Sequence, residues 1–405
     1  MNFLLGAIVQ IIKQYKGEAP LSAYLKDYFK RHPRLGSRDR RSISEAVYIY
    51  YRCAAFFPAE HPIPDTINEG VTLCNSTNQF LISTLLREGF GEQDHHNFAC
   101  EKRGLFQESA HAFSAGLSPG LWLGSMLQQP DLFLRMRADK EKIFSRLDEA
   151  LISYSILDTN VLDDEDKAFY DRKGTCAGLE NSSKMSSLLP PEAYVVQDYS
   201  SQTSMSIFTK FAADHKKQKQ TSSGYSVWDV CAGAGGKSLF WKDRFPEDKI
   251  QATDIRKSIL KNLEERFALS GVKEQLETLV LDVSQKEILE QKMRNRSFDF
   301  IICDVPCSGS GTWARTPEQF YFFKEKNLKK FEKLQFLIAF EAQRFLKENG
   351  LMAYITCSVF KAENEMVVEK LLHNTSLELL HQQLINGIPN HSDSLFIAVF
   401  RKIDS

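Results

Sequence analysis

The sequence predicts an α/β protein with a mostly parallel sheet in its C-terminal half and an all-helical region ahead of it. Two patterns carry this expectation. From Ser226 onward, short apolar runs alternate with helix-period stretches, which is how parallel strands covered by helices on both faces read in sequence. Residues 1–125 instead show helical periodicity with few β-rich runs, as in LSAYLKDYFKRH and RRSISEAVYIYYRCAAFF. The chain has 405 residues, 43% of them hydrophobic and 25% charged, enough for more than one ordinary globular domain.

The elements follow in order. MNFLLGAIVQIIKQYKG lacks a basic n-region and a small-residue cleavage site, and Gln10, Lys13 and Gln14 interrupt it. It falls short of the roughly 20 apolar residues that span a bilayer, so an amphipathic core helix and a cytoplasmic protein are expected. KRHPRLGSRDRR gathers Lys30, Arg31, Arg34, Arg38, Arg40 and Arg41 around a Pro/Gly turn. That cluster is either a solvated loop or a patch for RNA phosphates. A net charge of −1 gives no global signal for a polyanion, so a nucleic-acid surface has to be local.

Residues 126–190 read as a small α/β connecting segment. DLFLRMRADKEKIFSRLDEALISYSI suggests a short strand and then a helix, whereas LDDEDKAFYDRKGTCAGLENSSKMSS is polar and turn-rich, with little core expected. QDYSSQTSMSIFTKFA resumes helical periodicity, and DHKKQKQTSSG reads as an exposed loop. Within 191–405 the strand candidates are SVWDV, KIQATDI, ETLVLDV, FDFIICDV, LMAYITC and SLFIAVF. Ligands of such sheets bind at the carboxyl ends of the strands, and several of these strands end in an acid or a cysteine.

VWDVCAGAGGKSLFW sets a strand, a small-residue turn and a helix start in sequence, with Cys231, Ala232, Gly233, Ala234, Gly235, Gly236 and Lys237 forming the turn. Glycines allow close backbone approach, and a helix N-terminus offers unpaired N–H groups. The turn is not GxGxxG. The triphosphate-binding GxxxxGK[ST] pattern fails because its first glycine would fall on Cys231. Asp254 and Asp282 end the next two strands. Either acid alone is commonly a helix N-cap. Together with the glycine turn they form a nucleoside layout, one acid for ribose hydroxyls and the other for an adenine amino group. A nucleoside without a triphosphate suggests S-adenosyl-L-methionine.

FDFIICDVPCSGSGTWARTPE delivers Asp304 and Cys307 at one strand end, and LMAYITCSVF delivers Cys357 at another. Cytosine C5 is a poor nucleophile until a thiolate adds at C6, and an acid at N3 stabilises the developing charge. Methyl transfer, loss of the C5 proton and elimination of sulfur complete the reaction. Cys303, inside its strand, reads as a small buried hydrophobe, and Cys231 reads as packed. The eight cysteines include no CxxC pair and have no histidine at ligand spacing, so no metal site is expected and a reducing compartment fits.

DVCAGAGGKS, DVPCSGSGTWARTPE and YITCSVFKAENEMVVEKLL resemble the Sun-type (Rsm/Nop/NSUN) family of RNA cytosine-C5 methyltransferases. QDYSSQTSM and HSDSLFIAVFRK are weaker matches, and the likeness covers roughly residues 190–405. WLGSMLQQPDLFLRMRADK is similar to the family's connecting segment, and the helical N-terminus to the NusB-like domain of its bacterial rRNA members. The resemblance implies a Rossmann-like methyltransferase domain with a sheet of about seven strands. It implies Cys357 as nucleophile, Cys307 in product release, Asp304 at the cytosine N3 edge and near the cofactor, and Cys231–Lys237, Asp254 and Asp282 around S-adenosyl-L-methionine. Which cysteine attacks rests on the resemblance alone. Arg315, in TWARTPE, either clamps RNA or caps local structure.

Three positions depart from the family pattern: Ala234 and Lys361 replace common prolines, and Arg137 stands where asparagine is frequent. None removes a reacting group. The implied substrate is small-subunit ribosomal RNA, methylated by a monomer without a metal ion. Transfer RNA is the alternative substrate, and a non-catalytic ribosome-assembly protein is the alternative of a different class. A nicotinamide dehydrogenase is disfavoured by the missing phosphate-binding glycine pattern.

Overall fold

The computed structural model describes residues 3–91, 112–137, 139–159, 174–180, 185–219, 224–272 and 276–403. The chain divides into two compact units. One comprises residues 1–113, 117–129 and 312–327, and the other residues 114–116, 130–311 and 328–405.

The first unit is helical. Phe3–Gln14 buries Leu4, Leu5, Ala7, Ile8, Ile11 and Ile12, a stripe at helical spacing that faces a core rather than a bilayer. Leu21–Arg31, Ser37–Cys53, Ile63–Leu73 and Gln79–Arg87 pack around it through Leu25, Ile43, Val47, Ile67 and Leu81. Thr312–Asn327 belongs to this unit despite its place in the sequence. Its Phe322 ring lies 5.8 Å from that of Tyr15. The Leu21 amide donates to Glu318 Oε1 at 3.2 Å, so the carboxylate serves an orphan donor that Pro20, the N-cap, has no side-chain oxygen to satisfy. Among the described residues no helix is long and apolar enough to cross a membrane.

The second unit holds two sheets. Leu132–Met136 (β1), Tyr154–Leu157 (β2), Cys176–Leu179 (β3) and Tyr194–Val196 (β4) form an antiparallel sheet of order β2-β3-β1-β4. The expectation of little core in the polar stretch needs correcting at β3, whose four residues are all buried between β1 and β2. Residues 162–173 and 181–184 of that stretch lie outside the described residues.

The larger sheet comprises Ser226–Asp229 (β5), Lys249–Asp254 (β6), Leu276–Val280 (β7), Phe298–Asp304 (β8), Leu346–Thr356 (β9), Leu377–Ile385 (β10) and Leu395–Lys402 (β11), in the order β10-β11-β9-β8-β5-β6-β7. β7 to β9 pair in parallel through β6, β5 and β8, and β11 and β10 add antiparallel to β9. Successive residues serve opposite faces. Val227, Phe300, Ile302, Ala353 and Ile355 enter one core with Phe208 and Trp241, while Trp228, Ile301, Cys303, Met352 and Tyr354 enter the other with Ile338 and Val367. Burial on both faces explains the near-continuous apolar runs, and it places Cys303 in the core as a small hydrophobe.

A second correction concerns DHKKQKQTSSG. Helix Tyr199–Lys219 continues through its first half, because Lys216 packs 3.7 Å from the Phe245 ring centre and pairs with Asp248 at 2.5 Å. Residues 220–223 lie outside the described residues.

Helix Gly236–Arg244, which follows β5, is tied to the small sheet by a buried ion cluster. Asp243 receives Arg135 Nη1 at 2.7 Å on Oδ2, and Arg137 through Nη2 at 2.7 Å on Oδ1 and Nε at 2.8 Å on Oδ2. Burial alone would raise the Asp243 carboxyl, but the two guanidinium groups outweigh it and hold it below the usual carboxylate range. Removing this shared anion strands two guanidinium groups in the interior. Asp243→Ala should therefore destabilise the protein by about 3–5 kcal/mol, measured by denaturant unfolding.

Candidate active site

The turn after β5 is shaped by glycines where the backbone requires them. Gly233 and Gly235 adopt φ of +54° and +79°. A methyl group on Gly235 would sit 2.6 Å from Leu263 Cγ, whereas one on Gly233 would meet no atom within 4 Å. Gly235 thus lets the turn close onto helix Lys257–Leu269, and Gly233 faces open space where a ligand can approach the backbone. The turn is anchored to β6: the Ala232 amide donates to Thr253 O at 2.8 Å and the Gly233 amide to Asp254 Oδ2 at 3.1 Å. Cys231 is half-buried, and burial pushes its thiol up.

Beneath the turn lies Asp229, which sequence reasoning did not single out. Ser238 Oγ donates to its Oδ2 at 2.5 Å, and its Oδ1 is buried without a partner among the described residues. Burial pushes this carboxyl up to about 7, outweighing the Ser238 hydrogen bond and the charge of Lys237, which act to lower it.

Asp254 stands at the end of β6 with its carboxylate already engaged. Arg256 Nε and Nη2 each donate to it at 3.0 Å. Burial raises this group, but the Arg256 and Gly233 hydrogen bonds prevail and hold it low. Arg256 is itself largely exposed, so an incoming diol would compete with a solvent-facing partner. Asp282 is engaged locally: Ser284 donates to its Oδ1 from both N and Oγ, and Gln285 Nε2 to its Oδ2.

β8 and β9 run in parallel, with Ile302 beside Ala353 and Asp304 beside Ile355, so both strands open at the same level. The Val305 amide extends the pairing to Ile355 O at 3.1 Å. Beyond that point the two thiols meet, with Cys307 Sγ 3.0 Å from Cys357 Sγ. Both cysteines are half-buried, free thiols. Lys237, from the glycine turn, donates to Asp304 Oδ2 at 2.6 Å and joins the end of β5 to that of β8. Burial disfavours the ammonium, yet the charge of Asp304 and the hydrogen bond to it leave Lys237 higher than usual.

The Cys307 thiol is pushed well up, by the hydrogen bond with Cys357, by burial and by the charges of Cys357 and Glu363. Glu363 is fully buried and was missed in the sequence. The available signal was the repeated Cys-Ser pair, because Ser308 and Ser358 both donate to this carboxylate at 2.5 Å.

The structure thus brings together the glycine turn, Asp254, Asp304, Cys307 and Cys357 on four adjacent strands, β6, β5, β8 and β9. The basic turn, part of the helical unit, divides by role. Arg40 binds the Leu35 and Pro33 carbonyls at 2.9 and 3.4 Å, and Arg38 stacks 4.1 Å from the Phe80 ring centre. Arg34 and Arg41 are exposed and have no side-chain partner among the described residues. Arg315 is half-buried in the segment that folds with the helical unit. No group of three or more potential metal ligands occurs among the described residues.

Comparison with known proteins gives consistent likenesses. Residues 218–399 match the family model for 16S rRNA methyltransferase RsmB/F. Ribosomal RNA small subunit methyltransferase B of Photorhabdus laumondii is 25% identical over 343 residues, covering 82% of this chain and 73% of that protein. Its counterpart in Pasteurella multocida is 29% identical over 199 residues, 45% of this chain and 44% of the relative. The latter alignment thus spans under half of that relative's length. The crystal structure of PH0851 superposes with a TM-score of 0.67 at 16% identity over 98% of both chains. That of Pyrococcus horikoshii NSun6 with SFG gives 0.53 at 15% identity, over 71% of this chain and 94% of the other. At these identities the structural likenesses establish the Rossmann-like methyltransferase fold.

Gly235→Ala combines a left-handed backbone with a clash against Leu263 and should destabilise the protein by about 2 kcal/mol or more. Gly236→Ala, whose nearest neighbour would be Arg266 Nη1 at 3.6 Å, should remain within about 0.5 kcal/mol of the parent. Urea unfolding of both variants measures the difference.

Proposed function

We propose that this chain, whose residues 218–399 match the family model for 16S rRNA methyltransferase RsmB/F, methylates a cytosine of small-subunit ribosomal RNA at C5 with S-adenosyl-L-methionine as donor. The observation that carries the reading is the pair of thiols 3.0 Å apart on neighbouring strand ends, next to the Lys237–Asp304 ion pair. An exocyclic-amine methyltransferase has no use for a nucleophilic sulfur, whereas C5 chemistry requires one.

The residues present fit the donor. Open space over Gly233 accepts a ligand against the backbone, and Asp254 lies one hydrogen bond away from that turn, placed for ribose hydroxyls. Asp282, two residues beyond the end of β7, is assigned to the adenine amino group. When bound, the cofactor supplies an electrophilic methyl group without a phosphate to be cradled.

Cys357 Sγ adds to C6 of the flipped-out cytosine, which places electron density on C5 and N3. Asp304 meets the N3 edge, and the proton needed there as charge develops is carried by Lys237, its hydrogen-bonded partner. Completion requires loss of the C5 proton and departure of the Cys357 sulfur. Cys307 is the side chain set against that sulfur.

Transfer of labelled methyl groups to C5 of cytosine in small-subunit RNA tests the reading directly. Cys357→Ala should reduce turnover by at least about a thousandfold, and undiminished turnover would overturn its role as nucleophile. Cys307→Ala should instead accumulate an RNA adduct that survives a denaturing gel, and absence of any trapped species counts against the release role.

In the helical unit, Arg34 and Arg41 are the arginines of the basic turn left available for phosphates. Replacing both with alanine should weaken RNA binding and reduce the slope of log affinity against log salt by about 2, read by filter binding. Arg40→Ala should act on stability instead.

A further inference from the structure

Glu363 has no exposed surface, and no lysine or arginine pairs with it among the described residues. A buried carboxylate without a cation is costly unless its oxygens are saturated by donors. Here four donors converge on two atoms. Oε1 accepts from the Ser308 amide and Gln335 Nε2, both at 2.8 Å, and Oε2 accepts from the hydroxyls of Ser308 and Ser358, both at 2.5 Å.

The two serines immediately follow the two cysteines, so one side chain cross-links the loop after β8 to the loop after β9. Ser310 closes the arrangement, 3.1 Å from Ser308 Oγ and 3.2 Å from Ser358 Oγ. The backbone of Glu363 is fixed too, since Tyr354 OH donates to its carbonyl at 2.6 Å. Ladder pairing between the strands stops before Cys307 and Cys357, and no covalent bond joins the sulfurs. What sets their separation has to be found in the loops.

We propose that Glu363 is a positioning residue: by receiving Ser308 and Ser358 together, it holds the Cys307 and Cys357 sulfurs at reacting distance, so that the release thiol faces the departing one. Its catalytic consequence rests on the methyltransferase reading above, whereas its geometric consequence does not. Glu363→Gln preserves shape but replaces one acceptor oxygen by an amide donor, so it cannot receive all four donors.

The test has two readouts on the full-length protein. Diamide takes two electrons and two protons from a thiol pair to form a disulfide, at a rate that reports how often the sulfurs meet. Cys53 and Cys74 of the helical unit, with sulfurs 3.6 Å apart, serve as an internal reference. In Glu363→Gln, linkage of Cys307 to Cys357 should slow at least tenfold relative to linkage of Cys53 to Cys74, followed by peptide mass spectrometry.

In single turnover with S-adenosyl-L-methionine and small-subunit RNA, the same variant should still form the RNA adduct but release it at least tenfold more slowly. A general loss of stability would lower adduct formation and release together. An unchanged linkage ratio overturns the geometric claim, and slowed linkage with normal release overturns the catalytic one. If the parent protein methylates no RNA, the function reading fails while the linkage ratio still decides the positioning role. Should Glu363→Gln not fold, the double variant Ser308→Ala, Ser358→Ala removes the two hydroxyls and is read in the same way.

Discussion

The register in which β8 lies beside β9 decides what this molecule can do. Both strands are buried on both faces, so each residue is committed to one core or the other, and a slip of one position would exchange the two sets. Phe300 and Ile302 would then leave Phe208 and Trp241, and Ile301 and Cys303 would leave Ile338. With Asp304 held beside Ile355, the carboxylate emerges at the sheet edge and both cysteines follow within three residues of it. β5 takes its place by the same logic, pairing Asp229 with Ile302. Strand order runs from β5 to β6 and β7 on one side and to β8 and β9 on the other, so the glycine turn opens at the point where the connections change direction. A crevice forms at such a point because successive loops diverge there.

Two cysteines of equal intrinsic chemistry are given unequal surroundings. Cys307 is hydrogen-bonded by its neighbour, buried, and near the negative charge of Glu363, all of which keep its proton in place. Burial and a nearby carboxylate are the conditions that keep a thiol protonated, in keeping with the product-release role proposed for Cys307.

Legibility in the sequence followed the range of the interactions. β5, β6, β8, β9 and β11 were readable because burial on two faces leaves a largely apolar run, whereas β7, an edge strand only partly buried, was readable from Leu276, Leu279 and Val280 alone. β10 was not, since His381, Gln382 and Gln383 lie on an edge strand that is partly exposed and paired only to β11. β3 was hidden by its own composition: Gly178 has no side chain, and one there would press within 3.0 Å of Ser155 and Phe133. Among site residues, Asp304, Cys307, Cys357 and the glycine turn announced themselves by type and by position at strand ends. Glu363 did not, because it acts across 55 positions on Ser308 and sits in a polar stretch that reads as a solvated helix start. Asp229 was obscured likewise, as an acid in a strand whose burial only the fold reveals.

The departure at Arg137 is resolved by the same structural logic. Helix Gly236–Arg244 is only nine residues long, about 14 Å at 1.5 Å per residue, and both of its ends are constrained. At its start Lys237 is ion-paired to Asp304, and at its end Asp243 is held bidentately by Arg137 and again by Arg135. Arg137 also donates to the carbonyls of Glu192 and Ser270, so one guanidinium gathers the small sheet, the segment leading to β4 and the end of helix Lys257–Leu269. An asparagine could not span those partners with one planar fork. The helix is therefore fixed at both ends, by a buried ion cluster at one and by the 2.6 Å Lys237–Asp304 pair at the other. Arg137, outside the sheet that carries the cysteines, thus helps to fix the helix that presents Lys237 to Asp304.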